Sequence, residues 1–280
     1  MSECLFSGNE NGPRDLRPVE QSNIYSELLP MISYAQNLED VMLNRVFEQK
    51  KVGFYIDVGA WHPIDHSVTK HFYDQGWAGI NVEPSSVYWR LLRKSRPRDI
   101  NLNVLVGESR GATDYFEIPK SGASTSIPSV WNTIAEEGKL GKYAIKRTVE
   151  CTTLADICNK YAAHKEIDFL KIDVEGAELA VIKSADWKLY RPRVILVEAV
   201  APFTNRPSYA DWEDVLLNKG YFFCYFDGLN RFYVREESKE LLAAFNAPPN
   251  VFDGFRIYDG YGHIFHKRIR LGRLAVTISF

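Results

Sequence analysis

Residues 1–30 show no sustained hydrophobic period and are rich in Gly, Asn, Pro and Glu, which predicts a flexible extension closing with a short helix near Ile24–Leu29. From Tyr34 the pattern sharpens. Over Asn37–Glu48 the residues Val41, Leu43, Val46 and Phe47 fall on one face behind an Asn that can cap, so an amphipathic helix is predicted there. Gly53-Phe-Tyr-Ile-Asp-Val-Gly is a short apolar run that stops at an acid and a glycine. Gly79-Ile-Asn-Val-Glu-Pro, Ile100-Asn-Leu-Asn-Val-Leu-Val-Gly, Asp168-Phe-Leu-Lys-Ile-Asp and Arg193-Val-Ile-Leu-Val-Glu are further runs of the same kind. Helical stretches over Ser67–Tyr73, Val87–Arg93 and around Glu178–Lys183 lie between them. Short apolar strands alternating with helices predict parallel βαβ units buried on both faces. Tyr221-Phe-Phe-Cys-Tyr-Phe-Asp, then Gly228-Leu-Asn, then Arg231-Phe-Tyr-Val-Arg predict a terminal hairpin. The segment from Ser109 to Thr153 is too long for a simple connection and is expected to fold over one edge of the site. By itself the periodicity supports an α/β open sheet and no more.

Composition narrows the class. A chain of 280 residues, 45% hydrophobic and 25% charged, fits one large domain, or one domain with appendages, and excludes a disordered, collagenous or coiled-coil protein. The expected division is 1–30 as extension, 31–235 as the catalytic domain and 236–280 as a C-terminal extension. A formal net charge of −2 argues against a nucleic-acid binder. The 16 Phe, 15 Tyr and 6 Trp can supply both a core and a stacking pocket. Cys4, Cys151, Cys158 and Cys224 form neither a CxxC pair nor a zinc spacing and read as reduced thiols, three of them core residues. The first residues lack a basic n-region and an apolar h-region, and no apolar stretch approaches the roughly 18 residues of a spanning helix, so a cytoplasmic protein is expected.

The chemistry lies at the strand ends, because ligands of open α/β sheets sit beyond the carboxyl ends at the switch point. Asp57 and Glu83 end the first two strands, 26 positions apart, or about one βα unit. A glycine just past the first strand admits a ligand close to the backbone, and an acid ending the second can hold both ribose hydroxyls. Gly59 stands without the further glycines of a pyrophosphate loop and is followed by bulky Trp61 and His62, which favours a nucleoside ligand lacking a pyrophosphate. Asp173 and Glu175 crowd negative charge where a cationic donor or a metal ion would lie. Glu178, in the first turn of a helix, suits a dipole or capping role. His62 and His66 flank Asp65 and could serve a hydroxyl acceptor as general base, against their ordinary reading as structural residues. The Ser124-Thr-Ser cluster could contact a polar acceptor. The basic run His266-Lys-Arg-Ile-Arg-Leu-Gly-Arg reads as a solvated tail, with contact to an anionic carrier or membrane surface as the alternative.

Four motifs carry a resemblance. Tyr34-Ala-Gln-Asn-Leu-Glu-Asp, Tyr55-Ile-Asp-Val-Gly-Ala, Gly76-Trp-Ala-Gly-Ile-Asn-Val-Glu-Pro and Leu170-Lys-Ile-Asp-Val-Glu-Gly-Ala-Glu occur in that order. Together they closely resemble the FkbM family of S-adenosylmethionine-dependent methyltransferases, from about Ser33 to Tyr233. Ala247-Pro-Pro-Asn-Val-Phe-Asp is similar to a segment found downstream in bacterial members associated with glycan assembly. The resemblance implies a class I Rossmann-like fold, mostly parallel with a C-terminal antiparallel hairpin, and S-adenosyl-L-methionine across the strand ends. It places Asp57 and Gly59 under the methionine part of the donor and Glu83 at the ribose. Asn103 and Val104 then flank the adenine, Asp173 sits near the methyl group, and Gln36 and Glu39 form a lid. Many relatives have Asn and Gly where this chain has Trp61 and Pro63, so contacts to the donor carboxylate pass to Ser67 or Thr69.

The resemblance thus implies an O-methyltransferase, and the expected acceptor is a sugar hydroxyl of a bacterial glycan or its precursor. A methyltransferase of a non-sugar small molecule is the nearest alternative. A nicotinamide-dependent oxidoreductase and a non-catalytic binding platform are more distant ones. Two routes assist deprotonation of the acceptor. In one, His62 or Asp173 takes the proton. In the other, Asp173 and Glu198 hold a divalent ion such as Mg2+, with no third ligand evident.

Overall fold

The computed structural model describes residues 30–136, 144–202, 204 and 206–259, together with two strands further on. In chain order the elements are β1 Met31–Ser33, α1 Glu39–Val46, β2 Phe54–Val58, α2 Lys70–Asp74, β3 Ala78–Val82, α3 Ser86–Ser95 and β4 Ile100–Leu102. The insertion follows as β5 Leu105–Val106, β6 Gly111–Glu117, α4 Pro128–Glu136 and β7 Ile145–Thr152. Then come α5 Leu154–Tyr161, β8 Phe169–Ile172, α6 Glu178–Lys183, β9 Val194–Glu198, α7 Glu213–Leu217, β10 Tyr221–Phe226, β11 Asn230–Arg235 and β12 Phe255–Ile257, with β13 Lys267–Leu271 and β14 Leu274–Ile278 as an antiparallel pair. The expected extension over 1–30 and the side chains of the basic tail lie outside the described residues.

Seven strands form one sheet in the order β10-β11-β9-β8-β2-β3-β4. Its first five members in chain order are parallel, and the chain reverses its direction of travel between β2 and β8, which makes that gap the switch point. The hairpin differs from an appended antiparallel pair. β11 inserts antiparallel between β9 and β10, so β10 runs with the parallel strands and β11 alone runs against them. This is the Rossmann-like sheet of class I methyltransferases.

Alternation along the buried strands assigns the two cores. Ile56, Val58, Leu170, Ile172, Ile195 and Val197 face a layer that includes Leu154 and Ile157 of α5, Val181 of α6 and Leu216 of α7. Tyr55, Phe169, Val194 and Leu196 face the other way, against Met42 and Leu43 of α1, Phe72 of α2 and Phe245. Period two carries polar residues along the same rows: Tyr55 leads to Asp57, and Phe169 to Lys171 and Asp173.

Several local expectations shift. Helix α1 begins behind Leu38 in the left-handed region, φ 64°, with no side-chain cap, so Asn37 is not its cap. Asn37 instead donates from Nδ2 to the Asp227 carbonyl at 2.9 Å. The third run breaks at Asn103: its Nδ2 donates to the carbonyls of Glu83 and Pro84, while β5 leaves the main sheet to pair with β7. Of the thiols only Cys158 is buried, Cys151 and Cys224 being half-buried and Cys4 outside the described residues. Residues 236–259 are packed on the domain rather than extended from it. Phe245 enters the core, β12 pairs in parallel with β1, and Arg45 bridges to Asp253 and to the carbonyls of Ala244, Ala247 and Pro248. Among the described residues no helix is long and apolar enough to cross a membrane.

Candidate functional site

A cavity of about 540 Å³ opens at the carboxyl ends of β2, β3, β8 and β9. Gln36, Asp57, Gly59, Glu83, Val104, Asp173 and Glu198, all expected from the sequence, line it together. The strand ends meet there because Gly59 permits it. Its φ is +84°, and a Cβ at this position would stand 1.7 Å from the backbone oxygen of Asp173. The ladder extends past the strands through Gly59 N to Val82 O at 3.0 Å and Asp173 N to Val58 O at 3.0 Å.

Asp57 and Lys171 are partners in register on neighbouring parallel strands and point to the same face. The Lys171 ammonium is buried. It donates to the Gly59 carbonyl at 3.1 Å and pairs with Asp173 at 3.1 Å and with Asp57 at 3.4 Å. Burial disfavours its charge, but Asp173 and Asp57 more than offset this and hold its pKa above the usual lysine range. The Asp57 carboxyl is raised by burial, partly countered by Lys171 and Arg96. Lys171 is the residue the sequence reading passed over. The signal was available: a lysine between Leu170 and Ile172 in a buried run must be paired, and period two places it beside Asp173.

Glu83 ends a short loop that it organises itself. Its Oε2 accepts from Trp61 N at 2.8 Å and its Oε1 from Ser85 N at 2.7 Å. Burial pushes its carboxyl up to about 7 despite those two donors. The bond to Trp61 fixes that residue in the left-handed region at φ 46°, with its indole on the cavity wall among the rings of His62, His66 and Tyr88.

The insertion closes one side, as its length implies. Ser121, Gly122, Ala123, Ser124 and Ser126 line the cavity with Tyr115 of β6. Thr125 Oγ1 donates to the Glu175 carbonyl at 2.8 Å, and Glu117 takes hydrogen bonds from Ser85 and Arg147, so the insertion is tied to both strand-end loops.

Other expected residues lie outside the lining. Ser67 and Thr69 are held by the fully buried Arg96, whose guanidinium also bonds the Pro63 carbonyl, and Thr69 Oγ1 donates to Asp57 at 3.2 Å. Thr69 thereby braces the Asp57 carboxyl, and Ser67 Oγ shares a 3.4 Å hydrogen bond with Thr69 Oγ1. Glu39 accepts from Asn230 Nδ2 at 2.8 Å and Asn37 N at 2.7 Å, fastening α1 to the β10–β11 turn, and burial raises its carboxyl to about 7. Asn103 braces the Glu83 loop as described above. His62 is half-buried with Nδ1 accepting from the backbone N–H groups of Asp65 and Ile64; burial lowers its pKa, which leaves a neutral ring with its proton on Nε2. The histidine that lines the cavity is His66.

The acids at the ends of β8 and β9 converge. Asp173, Glu175 and Glu198 have carboxylate oxygens within 4.8 Å of one another. Burial, then repulsion from Asp173, holds both the Glu175 and the Glu198 carboxyl well above the usual carboxylate range.

An open sheet in this order, with a nucleoside-sized cavity at its switch point and acids closing two adjacent strands, defines a class I methyltransferase. The family model for the FkbM methyltransferase domain matches residues 57–223. The chain belongs to that family. It is 36% identical over 195 residues to methyltransferase sdnD of Sordaria araneosa, an alignment that spans 60% of this chain and 73% of the relative. Among solved structures it is similar to the Methanococcus jannaschii fibrillarin pre-rRNA processing protein, with 14% identity, 67% of this chain and 68% of that one covered and a TM-score of 0.35, a likeness too low to carry an argument.

Proposed function

We propose that this methyltransferase uses S-adenosylmethionine to methylate a hydroxyl oxygen of a sugar, in a glycan or glycan precursor. The observation that carries the reading is one cavity lined by the ribose-type acid Glu83, the close-approach glycine Gly59 and the exposed end of Asp173, and faced by the serine-rich insertion. The residues fit the donor. Glu83 still has lone pairs on both oxygens for ribose hydroxyls, and it lines one cavity with Gly59 and Asp173. When bound, the donor supplies an electrophilic methyl carbon and a neutral thioether leaving group.

The chain's own work is positioning and proton transfer. Gly59 and Asp57 form the floor, with Lys171 locking their strands together. Asp173, with its side chain about a third exposed, faces the acceptor side and takes the hydroxyl proton as the oxygen attacks. Trp61 offers an apolar ring and Ser121, Ser124 and Ser126 offer hydroxyl and backbone groups, a mixture suited to the two faces of a sugar.

The Glu83 carboxyl near 7 gives a pH signature. Ribose hydroxyls donate, so they are held by the ionised form. That form is about a tenth of the protein at pH 6 and about nine-tenths at pH 8. Donor affinity measured by calorimetry is therefore expected to fall about tenfold from pH 8 to pH 6. Glu83→Gln should bind more weakly at pH 8 and lose this slope; equal slopes in both proteins would remove Glu83 from the ribose.

The reaction is tested by incubating the protein with methyl-labelled donor and glycan extracts, followed by mass analysis of the product. A labelled methyl ether on a sugar is expected. Label on an amine or carboxyl would overturn the acceptor class, and binding of NAD in place of S-adenosylmethionine would overturn the donor.

A further inference from the structure

We propose that Asp173, Glu175 and Glu198 form a binding site for one hard divalent cation at the ends of β8 and β9. Its role in the reaction rests on the methyl-transfer reading above, but its existence does not. Crowded acids alone would not establish a site. The separate observation is Glu198, which is 9% exposed, with its Oε2 sealed from solvent and accepting no hydrogen bond among the described residues.

That oxygen belongs to a carboxyl group aimed at two others, so within the cluster only a shared proton or a cation can satisfy it. Lys171 does not satisfy it, since its ion pairs go to Asp173 and Asp57. One cation between the three carboxylates satisfies all of them at once. The ligand atoms come from three positions that the fold fixes independently. Asp173 follows β8, Glu198 ends β9, and Glu175 rides a loop pinned by Thr125 at its carbonyl and by Glu178, whose Oε1 accepts from Val174 N at 3.3 Å and Gly176 N at 3.0 Å.

The donor set selects the metal class. All three ligands are carboxylate oxygens, with neither His nor Cys in the group, which favours Mg2+, Mn2+ or Ca2+ over Zn2+ or Cu2+. Oxygens on opposite sides of an ion, each at 2.3–2.6 Å, stand up to about 5 Å apart. The present spread of 4.8 Å or less closes onto one ion with small side-chain rotations. At the bottom of the proposed acceptor side, such an ion would polarise the hydroxyl that is methylated.

The test uses the full chain, stripped with chelator and desalted, titrated with Mn2+ in the absence of any donor and followed by electron paramagnetic resonance. One Mn2+ per chain is expected, displaced by Mg2+ or Ca2+, with E175Q and E198Q each weakening binding by at least about tenfold. Both variants should melt close to the wild type without metal, because glutamine keeps the shape and packing of each carboxyl group. Absence of stoichiometric uptake, or E198Q binding like the wild type, overturns the site. Methyl transfer is scored separately on the same stripped protein. Transfer without Mn2+ uptake sinks the cation site and leaves the methyltransferase reading standing, whereas E198Q-sensitive uptake in a protein that binds no donor does the reverse.

Discussion

Asp173→Asn should keep the shape of the site and lose on the order of 10²–10⁴-fold in kcat. The side chain follows β8 at the switch point, shares the cavity with Glu83 and is bonded to Lys171 at 3.1 Å. An asparagine of the same size still reaches Lys171 with its carbonyl oxygen, but it can neither take a proton at neutral pH nor contribute charge to a cation. Donor affinity should change far less, since the proposed donor contacts are those of Glu83, Gly59 and Asp57. Steady-state rates with the identified acceptor, alongside donor titration by calorimetry, separate the two effects. Near-normal turnover would show that Asp173 only partners Lys171. Chelation of the wild type adds a second axis: activity that falls and returns with Mg2+ or Mn2+ belongs to the cation route, and unchanged activity to a direct base.

Gly59→Ala is expected to cost roughly 2–4 kcal/mol and to abolish measurable donor binding. Forcing an L-residue into the left-handed region accounts for about 1 kcal/mol of that, and overpacking for about 1–3 kcal/mol more. The clash is with backbone, the Asp173 carbonyl at 1.7 Å, so no side chain can swing away and the ends of β2 and β8 must separate. Gly228→Ala is the control. It shares a positive φ, 100°, yet has nothing within 4 Å of the added methyl, so it should cost only the conformational share and leave donor affinity unchanged. Chemical denaturation and donor titration of both variants check this. Equal losses in the two would mean that close strand approach at Gly59 does not build the site.

Much of this protein was legible in its sequence. The five apolar runs became β2, β3, β4, β8 and β9 because a strand buried on both faces needs apolar residues at nearly every position, a local signal. The acids that end those runs were legible for the same reason: an ionisable group closing an apolar strand marks the sheet edge where ligands sit. Asp57, Glu83, Asp173 and Glu198 therefore all reached one cavity. The length of the insertion also announced that it would cover the site.

What only the tertiary structure decided concerns contacts between residues far apart in the chain. Strand order made Asp57 and Lys171 neighbours in register, although 114 positions separate them, and turned a lysine inside a motif into the lock between two strands. Long-range hydrogen bonds took Glu39, Ser67 and Asn103 out of the cavity lining. Each found a buried partner elsewhere in Asn230, Arg96 or the Glu83 loop, because a polar group that leaves water must be paired wherever the fold offers a partner. His66 rather than His62 stands on the cavity wall, in a loop where Trp61 and His66 both take the left-handed region, a choice of backbone dihedral that residue type alone does not fix. Glu175, adjacent in sequence to the recognised acids, became part of a three-carboxylate cluster through the tertiary pairing of β8 with β9. Sequence determines which segments are strands and which carry charge at their ends; packing determines which of those charges face one another.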